Sequence, residues 1–385
     1  MYRQKRYDAC IKEVKSKLKK FPNSLHLLNY QAMAYSALKK DREALESYQN
    51  IIKKDPSLAG PYYNRGIILK RNGRVEEAID NYKKAISLKP DYVQAYNNLG
   101  VLYKDNKKYE DAIKMFTKAK EIQPDHQNSY YNLGLIKNEQ GLSEEAIDLF
   151  LKVLDLNPEH SEAKYNISTV KVDNGLLEEA KKYLHEIFES DRKHEGAVKY
   201  LTIIALKQER LEEVWKYYEY RWKVSPGNKA TWPFQEKPVW KGERGKRIAL
   251  WKEQGIGDDI IFLSLVPEVK EMCGMLSVYV DPRLQSLCRR AMPEINFVKD
   301  VDTLKKEECD YHLPLGSVPG LIRNDISDFD RTVTGYLKAD PQRVDLIRKE
   351  LNLNGKTVIG VSWKSFNTLN QIKKSVQFFC IYFPR

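Results

Sequence analysis

Residues 93–126 read VQAYNNLGVLYKDNKKYEDAIKMFTKAKEIQPDH, and this stretch decides the fold of the first half of the chain. Its apolar residues recur every three or four positions in two segments, which predicts two amphipathic helices joined by a turn at Asp105-Asn106-Lys107. The second helix is expected to end before Pro124. The pattern returns every 34 residues, in four series of matched positions: Pro22, Pro56, Pro90, Pro124 and Pro158; Ala44, Ala78, Ala112, Ala146 and Ala180; Gly66, Gly100 and Gly134; Tyr48, Tyr82, Phe116 and Phe150.

A fixed period of this length is typical of a solenoid in which each two-helix unit packs on the next. The pattern resembles the tetratricopeptide repeat (TPR), which implies an all-α solenoid of about six repeats over residues 1–228. The pattern weakens toward the end of this range, where Ser168 replaces the glycine and Leu184 the aromatic residue. Such changes are expected in a terminal repeat, which packs on something other than another repeat.

The composition excludes several classes of protein. No stretch of the 385 residues offers the roughly 18–20 uncharged apolar residues of a membrane span, and residues 1–7 have no apolar core of a secretory signal. A cytoplasmic location is therefore the default expectation. Five widely spaced cysteines without a Cys-x-x-Cys motif predict neither a disulfide framework nor a structural metal site.

The net charge of +12 comes mostly from the N-terminal part of the chain, since residues 1–100 carry +10 and residues 101–200 carry −4. A basic surface of this kind could bind nucleic acid or an acidic membrane. Lysine dominates, however, and no recognition motif accompanies it. We therefore favour a solvated, lysine-rich helical surface and expect no nucleic-acid partner.

The character of the sequence changes after the repeats. Residues 229–245 form a connector that contains Trp, Pro and Gly and is unsuited to a helix. From residue 246 onward, predicted strands alternate with predicted helices, beginning with the strand Arg247–Trp251 and a helix over 259–273. This alternation predicts a parallel, doubly wound α/β domain over residues 246–356, followed by a new strand at Thr357–Trp363.

The turn Glu253-Gln-Gly-Ile-Gly-Asp-Asp259 lies between the first strand and the first helix of this domain, where open α/β sheets bind ligands. Gly255 and Gly257 would let the backbone approach a bound group. A dinucleotide site would use Asp281 after the second strand, but it also needs a third small residue, and Ile260 stands there. In a purely structural alternative, Asp258 caps the helix.

Residues 237–376 support a third interpretation. The run Lys246–Asp258, the segment Asp310–Pro319, Gly335-Tyr-Leu337 and Ile359–Lys364 resemble bacterial TPR proteins with a glycosyltransferase-like C-terminal domain, which are similar to heptosyltransferase family 9 and the protein O-GlcNAc transferases. The resemblance implies a GT-B fold built from two Rossmann-like domains. Residues 246–356 would form the acceptor side and residues 357–385 the start of the donor domain. The donor would be a nucleotide sugar, bound as a substrate without a metal or cofactor.

The resemblance also implies site residues. Asp258 matches the candidate general base, which must reach the acceptor hydroxyl and stay ionised. His312 could face the same cleft, although a histidine among apolar residues is more often packed in a core. Basic and hydroxyl groups would contact the diphosphate of the donor, or would simply belong to a polar loop; they are Lys364, Ser365, Lys374 and Ser375.

A row of asparagines belongs to the repeats themselves, with one residue two positions before the small position of each first helix. They are Asn64, Asn98, Asn132 and Asn166. A carboxamide can donate and accept hydrogen bonds, so this ladder could bind a peptide backbone without reading its side chains. O-GlcNAc transferases use a similar ladder for protein substrates, but asparagine is also common at this position in ordinary TPRs. The expected partner is a protein or peptide.

The end of the chain departs from the glycosyltransferase pattern. A donor domain would need roughly 150 more residues, and Phe378–Phe383 is an uninterrupted apolar run. These features predict a truncated or frame-shifted reading. Two functions therefore remain open at this point: transfer of a sugar to a protein or glycan hydroxyl, with recruitment through the repeats, or a protein-interaction scaffold with an inactive or incomplete C-terminal domain.

Overall fold

The structure is a computed structural model that describes residues 7–224, 232–234, 236–253, 255–331, 337–350, 358–361 and 379–382. The chain divides into two compact units, residues 1–204 and 205–385. We call the first the helical unit and the second the α/β unit.

The helical unit consists of helices that pack in sequence order, and each of the first ten packs on the next one along the chain. The prediction of an all-α TPR solenoid is confirmed. The odd-numbered helices from α3 onward are the second helices of their repeats, and the even-numbered ones are the first helices. The helices are α1 (Tyr7–Lys20), α2 (Leu25–Ala37), α3 (Asp41–Lys54), α4 (Ala59–Arg71), α5 (Val75–Leu88), α6 (Val93–Asp105), α7 (Tyr109–Ile122), α8 (Gln127–Glu139), α9 (Ser143–Leu156), α10 (Ser161–Asp173), α11 (Leu177–Ser190) and α12 (Glu195–Lys207).

Close packing between the two helices of a repeat explains the glycine and aromatic series. A Cβ atom added at Gly100 would lie 2.7 Å from the ring of Phe116, and one at Gly134 would lie 2.7 Å from the ring of Phe150. Both rings are fully buried. Only glycine therefore lets the first helix approach an aromatic residue of the second helix this closely.

The turns inside the repeats use one left-handed residue at a fixed position. It is Gly73 (φ 73°), Gly141 (φ 76°) and Gly175 (φ 78°) in three repeats, but Lys39 (φ 57°), Lys107 (φ 59°) and Glu209 (φ 57°) in three others. Positive φ favours glycine because it has no Cβ. The turn geometry is thus kept even where the sequence does not supply the favoured residue.

The α/β unit is centred on a four-stranded parallel sheet of order β3-β2-β1-β4. Doubly wound sheets begin with this order, which places the reversal of direction between β1 and β4. Ala249 lies opposite Ser277 on one side and His312 on the other. The strands are β1 (Arg247–Trp251), β2 (Met275–Tyr279), β3 (Asn296–Phe297) and β4 (Tyr311–Pro314), and the helices are α13 (Leu211–Tyr218), α14 (Arg221–Val224), α15 (Ile256–Leu263), α16 (Val266–Met272), α17 (Gln285–Ala291), α18 (Val301–Lys306), α19 (Pro319–Ile322) and α20 (Pro341–Glu350), with 3₁₀ turns at Leu315–Ser317 and Ile326–Arg331.

Helices cover the two faces of this sheet differently. Leu250 and Leu313 belong to a large core with Leu263 of α15 and Val269 of α16. On the other face, Ala249 and Trp251 belong to a smaller, aromatic cluster. The helix predicted over 259–273 is two helices, because Pro267 has no N–H to donate and lies in the first turn of α16.

The solenoid boundary at residue 228 stays a prediction. The compact units divide between residues 204 and 205, so α13 and α14 lie within the α/β unit. The indole N–H of Trp215 in α13 donates to the carbonyl of Arg323, which ties α13 to this unit. The predicted opening strand of a parallel donor domain is present as β5 (Val358–Val361), but it pairs antiparallel with β6 (Phe379–Tyr382). The aromatic and β-branched residues of the second segment favour a strand.

Candidate functional site

The four ladder asparagines occupy the same position on consecutive first helices. Asn64 lies in α4, Asn98 in α6, Asn132 in α8 and Asn166 in α10, and each side chain is half-buried. We call the side of these four helices that carries the asparagines the first-helix face. Half-buried apolar residues lie one turn further along three of the helices, at Ile67, Val101 and Leu135.

Three of the ladder amides donate hydrogen bonds to the preceding first helix. Three Nδ2 groups donate to a side chain 35 residues earlier, which belongs to the preceding repeat. The bonds run from Asn98 to the hydroxyl of Tyr63 (3.2 Å), from Asn132 to Oδ1 of Asn97 (3.4 Å) and from Asn166 to the hydroxyl of Tyr131 (3.1 Å).

In two of the ladder residues the second amide proton is also used, but the oxygens are not. Nδ2 of Asn132 and Asn166 each donates a second bond, to the main-chain carbonyls of Asn128 and Glu162. Within the described part of the chain, no donor bonds the carboxamide oxygen of any ladder residue. All four ladder residues therefore offer an oxygen as a hydrogen-bond acceptor, while Asn132 and Asn166 already use both amide protons.

A second row of rings packs on the tyrosines whose hydroxyls accept hydrogen bonds from the ladder asparagines, and sequence reasoning missed this row. Tyr63 packs on Tyr92 (ring centroids 4.8 Å apart), and Tyr131 packs on His160 (5.1 Å). Burial raises the pKa of Tyr63 and Tyr131, and the bond from the ladder asparagine partly opposes that shift. The signal was present, because the supporting residues also recur every 34 positions: Tyr92, His126, His160 and His194.

In the α/β unit, Asp258 lies at the start of α15, at the carboxyl end of β1. Its carboxylate accepts a hydrogen bond from the backbone N–H of Gly255 (3.2 Å), as expected for a helix cap. A Cβ at Gly257 would meet nothing within 4 Å, and one at Gly255 would meet only the Asp258 carboxylate at 3.5 Å. Packing therefore does not require glycine at either position, and the turn is open toward solvent.

The other charged side chains at this edge of the sheet are paired with one another. Glu253, whose side chain is 3% exposed, receives two bonds from Arg221 of α14 (2.8 and 3.0 Å). Burial lowers the pKa of Arg221, but the carboxylates of Glu253 and Glu219 more than offset that effect and raise it. The hydroxyl of Ser317 accepts a further bond from Arg221.

Asp281, the residue that a dinucleotide site would use, is also paired. Its carboxylate accepts bonds from Lys252 (2.8 Å) and Arg283 (2.8 Å). These bonds from Arg283 and Lys252 lower the pKa of Asp281 far below its usual range. The buried Asp259 accepts a bond from the backbone N–H of Asp281.

His312 is fully buried on the face of the sheet opposite to α15, so the structure does not bring it together with Asp258. Its Nδ1 accepts a hydrogen bond from the indole of Trp251 (3.1 Å), and its ring packs against Trp232 and Phe234 (centroids 5.3 Å apart in both cases). Burial lowers the pKa of His312, which keeps the imidazole neutral. The ring is therefore packed in a core, but only its Nδ1 is hydrogen-bonded, since the buried Nε2 has no partner among the described residues.

The four predicted diphosphate contacts, Lys364, Ser365, Lys374 and Ser375, lie outside the described residues. Among the residues that the structure does describe, no group of three His, Cys, Asp or Glu side chains is arranged to hold a metal ion. None of the described helices has the length and apolar character needed to cross a membrane.

Comparison with known proteins adds to this geometry. Four protein-family models match the chain: a TPR repeat model at residues 68–107 and tetratricopeptide repeat models at 30–57, 91–159 and 138–202. Residues 30–57 and 68–202 are tetratricopeptide repeats. The ladder asparagines from Asn98 to Asn166 lie within these matched TPR segments, and none of the four models describes a glycosyltransferase.

Several proteins are similar to the TPR part of the chain. Protein FlbA of Caulobacter vibrioides is 29% identical over 167 residues, which cover 38% of this chain and only 28% of FlbA. The crystal structure of MamA is 28% identical and covers 40% of this chain and 91% of MamA, with a TM-score of 0.38. A TPR protein from Cytophaga hutchinsonii is 20% identical and covers 59% of this chain and 94% of its own, with a TM-score of 0.49.

Proposed function

We propose that this protein is an interaction scaffold whose TPRs bind an extended segment of a partner protein along the first-helix face. The observation that carries the proposal is the row of open carboxamide oxygens on α4, α6, α8 and α10. An extended peptide presents backbone N–H groups along its length, and these are the donors that such a row can accept. The hydrogen bonds from Asn98, Asn132 and Asn166 to side chains of the preceding repeat hold these amides in place before the peptide arrives, which lowers the entropic cost of binding.

The test removes two ladder residues from the middle of the face. Each hydrogen bond contributes about 0.5–1.5 kcal/mol. Replacing Asn98 and Asn132 with Ala should therefore weaken binding of unstructured peptides roughly 5- to 150-fold. Fluorescence anisotropy of a labelled peptide measures this change.

A matched control replaces Asn50 and Asn81, which lie on the second helices α3 and α5, with Ala. This control should bind peptide like the unaltered chain. The thermal unfolding of both variants has to be measured, because Asn98 also bonds Tyr63. Unchanged peptide binding in the Asn98/Asn132 variant would remove the ladder from the proposed site.

A second candidate function, sugar transfer from a nucleotide sugar, concerns the α/β unit. The strand order β3-β2-β1-β4 and the open turn at Gly255 and Gly257 favour a ligand site at the carboxyl end of β1. Asp258 would be the general base of the transfer reaction. His312 would take no part in that reaction, because it is buried on the other face of the sheet. The candidate rests on this geometry and on the sequence resemblance, since the matched family models fall within the TPRs.

Release of nucleoside diphosphate from a panel of nucleotide sugars would test this second candidate. If Asp258 is the base, Asp258→Asn should lower release roughly 10²- to 10⁴-fold while the melting temperature stays within a few degrees. A large fall in melting temperature would instead assign Asp258 to capping alone. Absence of release by the unaltered chain would count against sugar transfer.

A further inference from the structure

One tyrosine of the helical unit is buried with its hydroxyl unpaired. Tyr82 of α5 is 0% exposed, and no described residue offers its hydroxyl a hydrogen bond of normal geometry. Its ring packs closely against Gly66, where an added Cβ would lie 2.5 Å away. The next two repeats have Phe116 and Phe150 at the equivalent position, so the repeat does not need this hydroxyl to pack. An unpaired buried hydroxyl lowers stability, and packing alone does not account for it.

The Tyr82 hydroxyl lies beneath the first-helix face, next to the ladder. The ring of Tyr63 in α4 packs on the ring of Tyr82, with centroids 5.9 Å apart. Burial raises the pKa of Tyr82, Tyr63 raises it further, and the nearby amide of Asn98 in α6 opposes part of the rise. Asn98 also donates to the hydroxyl of Tyr63 (3.2 Å). Both tyrosine hydroxyls therefore meet at one ladder residue, and we call Tyr63, Tyr82 and Asn98 the tyrosine subsite.

The tyrosine subsite keeps both donors and an acceptor unused. Among the described residues, the hydroxyl protons of Tyr63 and Tyr82 have no acceptor, and the carboxamide oxygen of Asn98 receives no bond. Asn98 also donates only one amide proton with normal geometry, whereas Asn132 and Asn166 donate both. The gap between α4 and α6 is thus the place on the ladder where a partner finds donors as well as an acceptor.

The subsite is neutral. No charged side chain of the described residues contributes to the pKa shift of Tyr63 or Tyr82. Lys89 lies instead over the ring of the neighbouring Tyr92, with its Nζ 5.2 Å from the centroid. A carboxylate in the gap would lose its water without gaining a cation, and an apolar group would leave the hydroxyls unpaired. The matching group is uncharged and carries an acceptor and a donor side by side, as a primary carboxamide does.

We propose that the tyrosine subsite binds a glutamine or asparagine side chain of the partner segment. The proposal rests on the proposed function above and names one specificity determinant of the partner. The carboxamide oxygen accepts hydrogen bonds from the hydroxyls of Tyr63 and Tyr82, and the carboxamide nitrogen donates to Oδ1 of Asn98. Tyr63 is half-buried, and its ring turns outward to let the side chain reach Tyr82. The main chain of the segment stays at the oxygens of the other ladder residues.

Three labelled peptides test the proposal. They are Ser-Ala-Ser-Ala-Gln-Ala-Ser-Ala-Ser and its two counterparts with Glu or Met in place of Gln. The three side chains are similar in size, but Glu is charged and Met lacks the carboxamide. The Gln peptide should bind at least about tenfold more tightly than the other two, because they lose two or more hydrogen bonds. The net charge of +12 favours the Glu peptide, so a preference for Gln requires a local site.

The variant Tyr82→Phe reproduces the ring of the next two repeats and removes only the hydroxyl. It should reduce the preference for Gln over Met to less than about threefold. Its melting temperature should stay the same or rise by about 2–4 °C, because an unpaired buried group is gone. The matched control is Tyr48→Phe, which makes the same change at the equivalent buried position of α3, one repeat earlier. The control should keep the tenfold preference.

A preference for Gln that survives in Tyr82→Phe would overturn the proposal, and so would an equal loss of preference in Tyr48→Phe. A lower melting temperature of Tyr82→Phe would show that the hydroxyl supports the fold, which also overturns the proposal. If the three peptides bind equally and their binding depends on Asn98 and Asn132, the proposed function stands and this inference fails. If the unaltered chain binds none of the peptides, the proposed function fails as well.

Discussion

The two units of this chain use polar side chains in opposite ways. In the helical unit, the same few contacts return every 34 residues, and the ladder oxygens remain open. At the carboxyl end of the sheet in the α/β unit, Arg221, Glu253, Lys252 and Asp281 are paired with partners within the unit, and each pair occurs once. Each repeat is stabilised by packing on its neighbours, so its exposed polar groups can stay without partners inside the chain.

The difference predicts how each unit responds to substitution. A contact that occurs once has no substitute elsewhere in the unit, whereas a position in a repeat has natural alternatives in the other repeats. The α/β unit should therefore lose most stability when one member of a pair is removed. The helical unit should tolerate changes that reproduce the combination of residues found in another repeat.

The largest effect is expected for Arg221→Met. Glu253 is then left as a buried carboxylate without its partner, which typically costs about 3–5 kcal/mol of stability. The double variant Arg221→Met/Glu253→Leu should recover much of the loss, because an apolar pair can replace a buried ion pair. Urea unfolding followed by tryptophan fluorescence reports on this unit, since Trp222 and Trp251 lie close together in it (centroids 5.6 Å apart). Equal losses in the single and double variants would show that the pair is not the source.

A smaller effect is expected for a swap between repeats. Gly100→Ser places a Cβ against the ring of Phe116 and should cost about 1–3 kcal/mol. The repeat at 161–194 already combines Ser168 with Leu184 at the matching positions, and the Ser168 hydroxyl donates to the carbonyl of Lys164.

Adding Phe116→Leu to Gly100→Ser should therefore restore part of the lost stability, with a coupling of roughly 0.5–3 kcal/mol. A double-mutant cycle of urea unfolding free energies measures it. Additive losses would mean that the two positions do not share one packing contact, and that the repeats are less interchangeable than their sequences suggest.

The sequence predicts the helical unit well because its decisive contacts are local and repeated. The series of Gly100 and Phe116 identified both the helix pair and its packing, and the spacing of the ladder placed Asn98 correctly on a first helix. The sequence did not show which atoms of the carboxamides stay free. That depends on the bonds that the amide nitrogens donate to Tyr63 and other residues of the preceding repeat.

The α/β unit was predicted less completely for the same physical reason. Its strands were found from local patterns, but nothing local shows that Arg221 pairs with Glu253 or that Trp215 bonds the carbonyl of Arg323, 108 residues later. Those contacts place α13 and α14 in the α/β unit. His312 likewise required the structure, because its burial comes from aromatic residues on distant segments.

The smallest effect concerns the turns of the repeats, where one substitution should change sign between two open glycines. A Cβ at Gly257 or at Gly141 would meet nothing within 4 Å, so packing does not distinguish the two sites. Gly257 lies within α15, where alanine is favoured over glycine by up to about 1 kcal/mol, so Gly257→Ala should stabilise the chain. Gly141 has a φ of 76°, where an L-residue is strained by roughly 1–2 kcal/mol, so Gly141→Ala should destabilise it. The entropy of the unfolded chain changes equally in both variants.

Lys107, with a φ of 59°, offers the reverse change, and Lys107→Gly should raise stability by a few tenths of a kcal/mol to about 1 kcal/mol. Urea midpoints of the three variants measure these shifts, and effects of the same sign at Gly257 and Gly141 would show that backbone conformation does not control the turns.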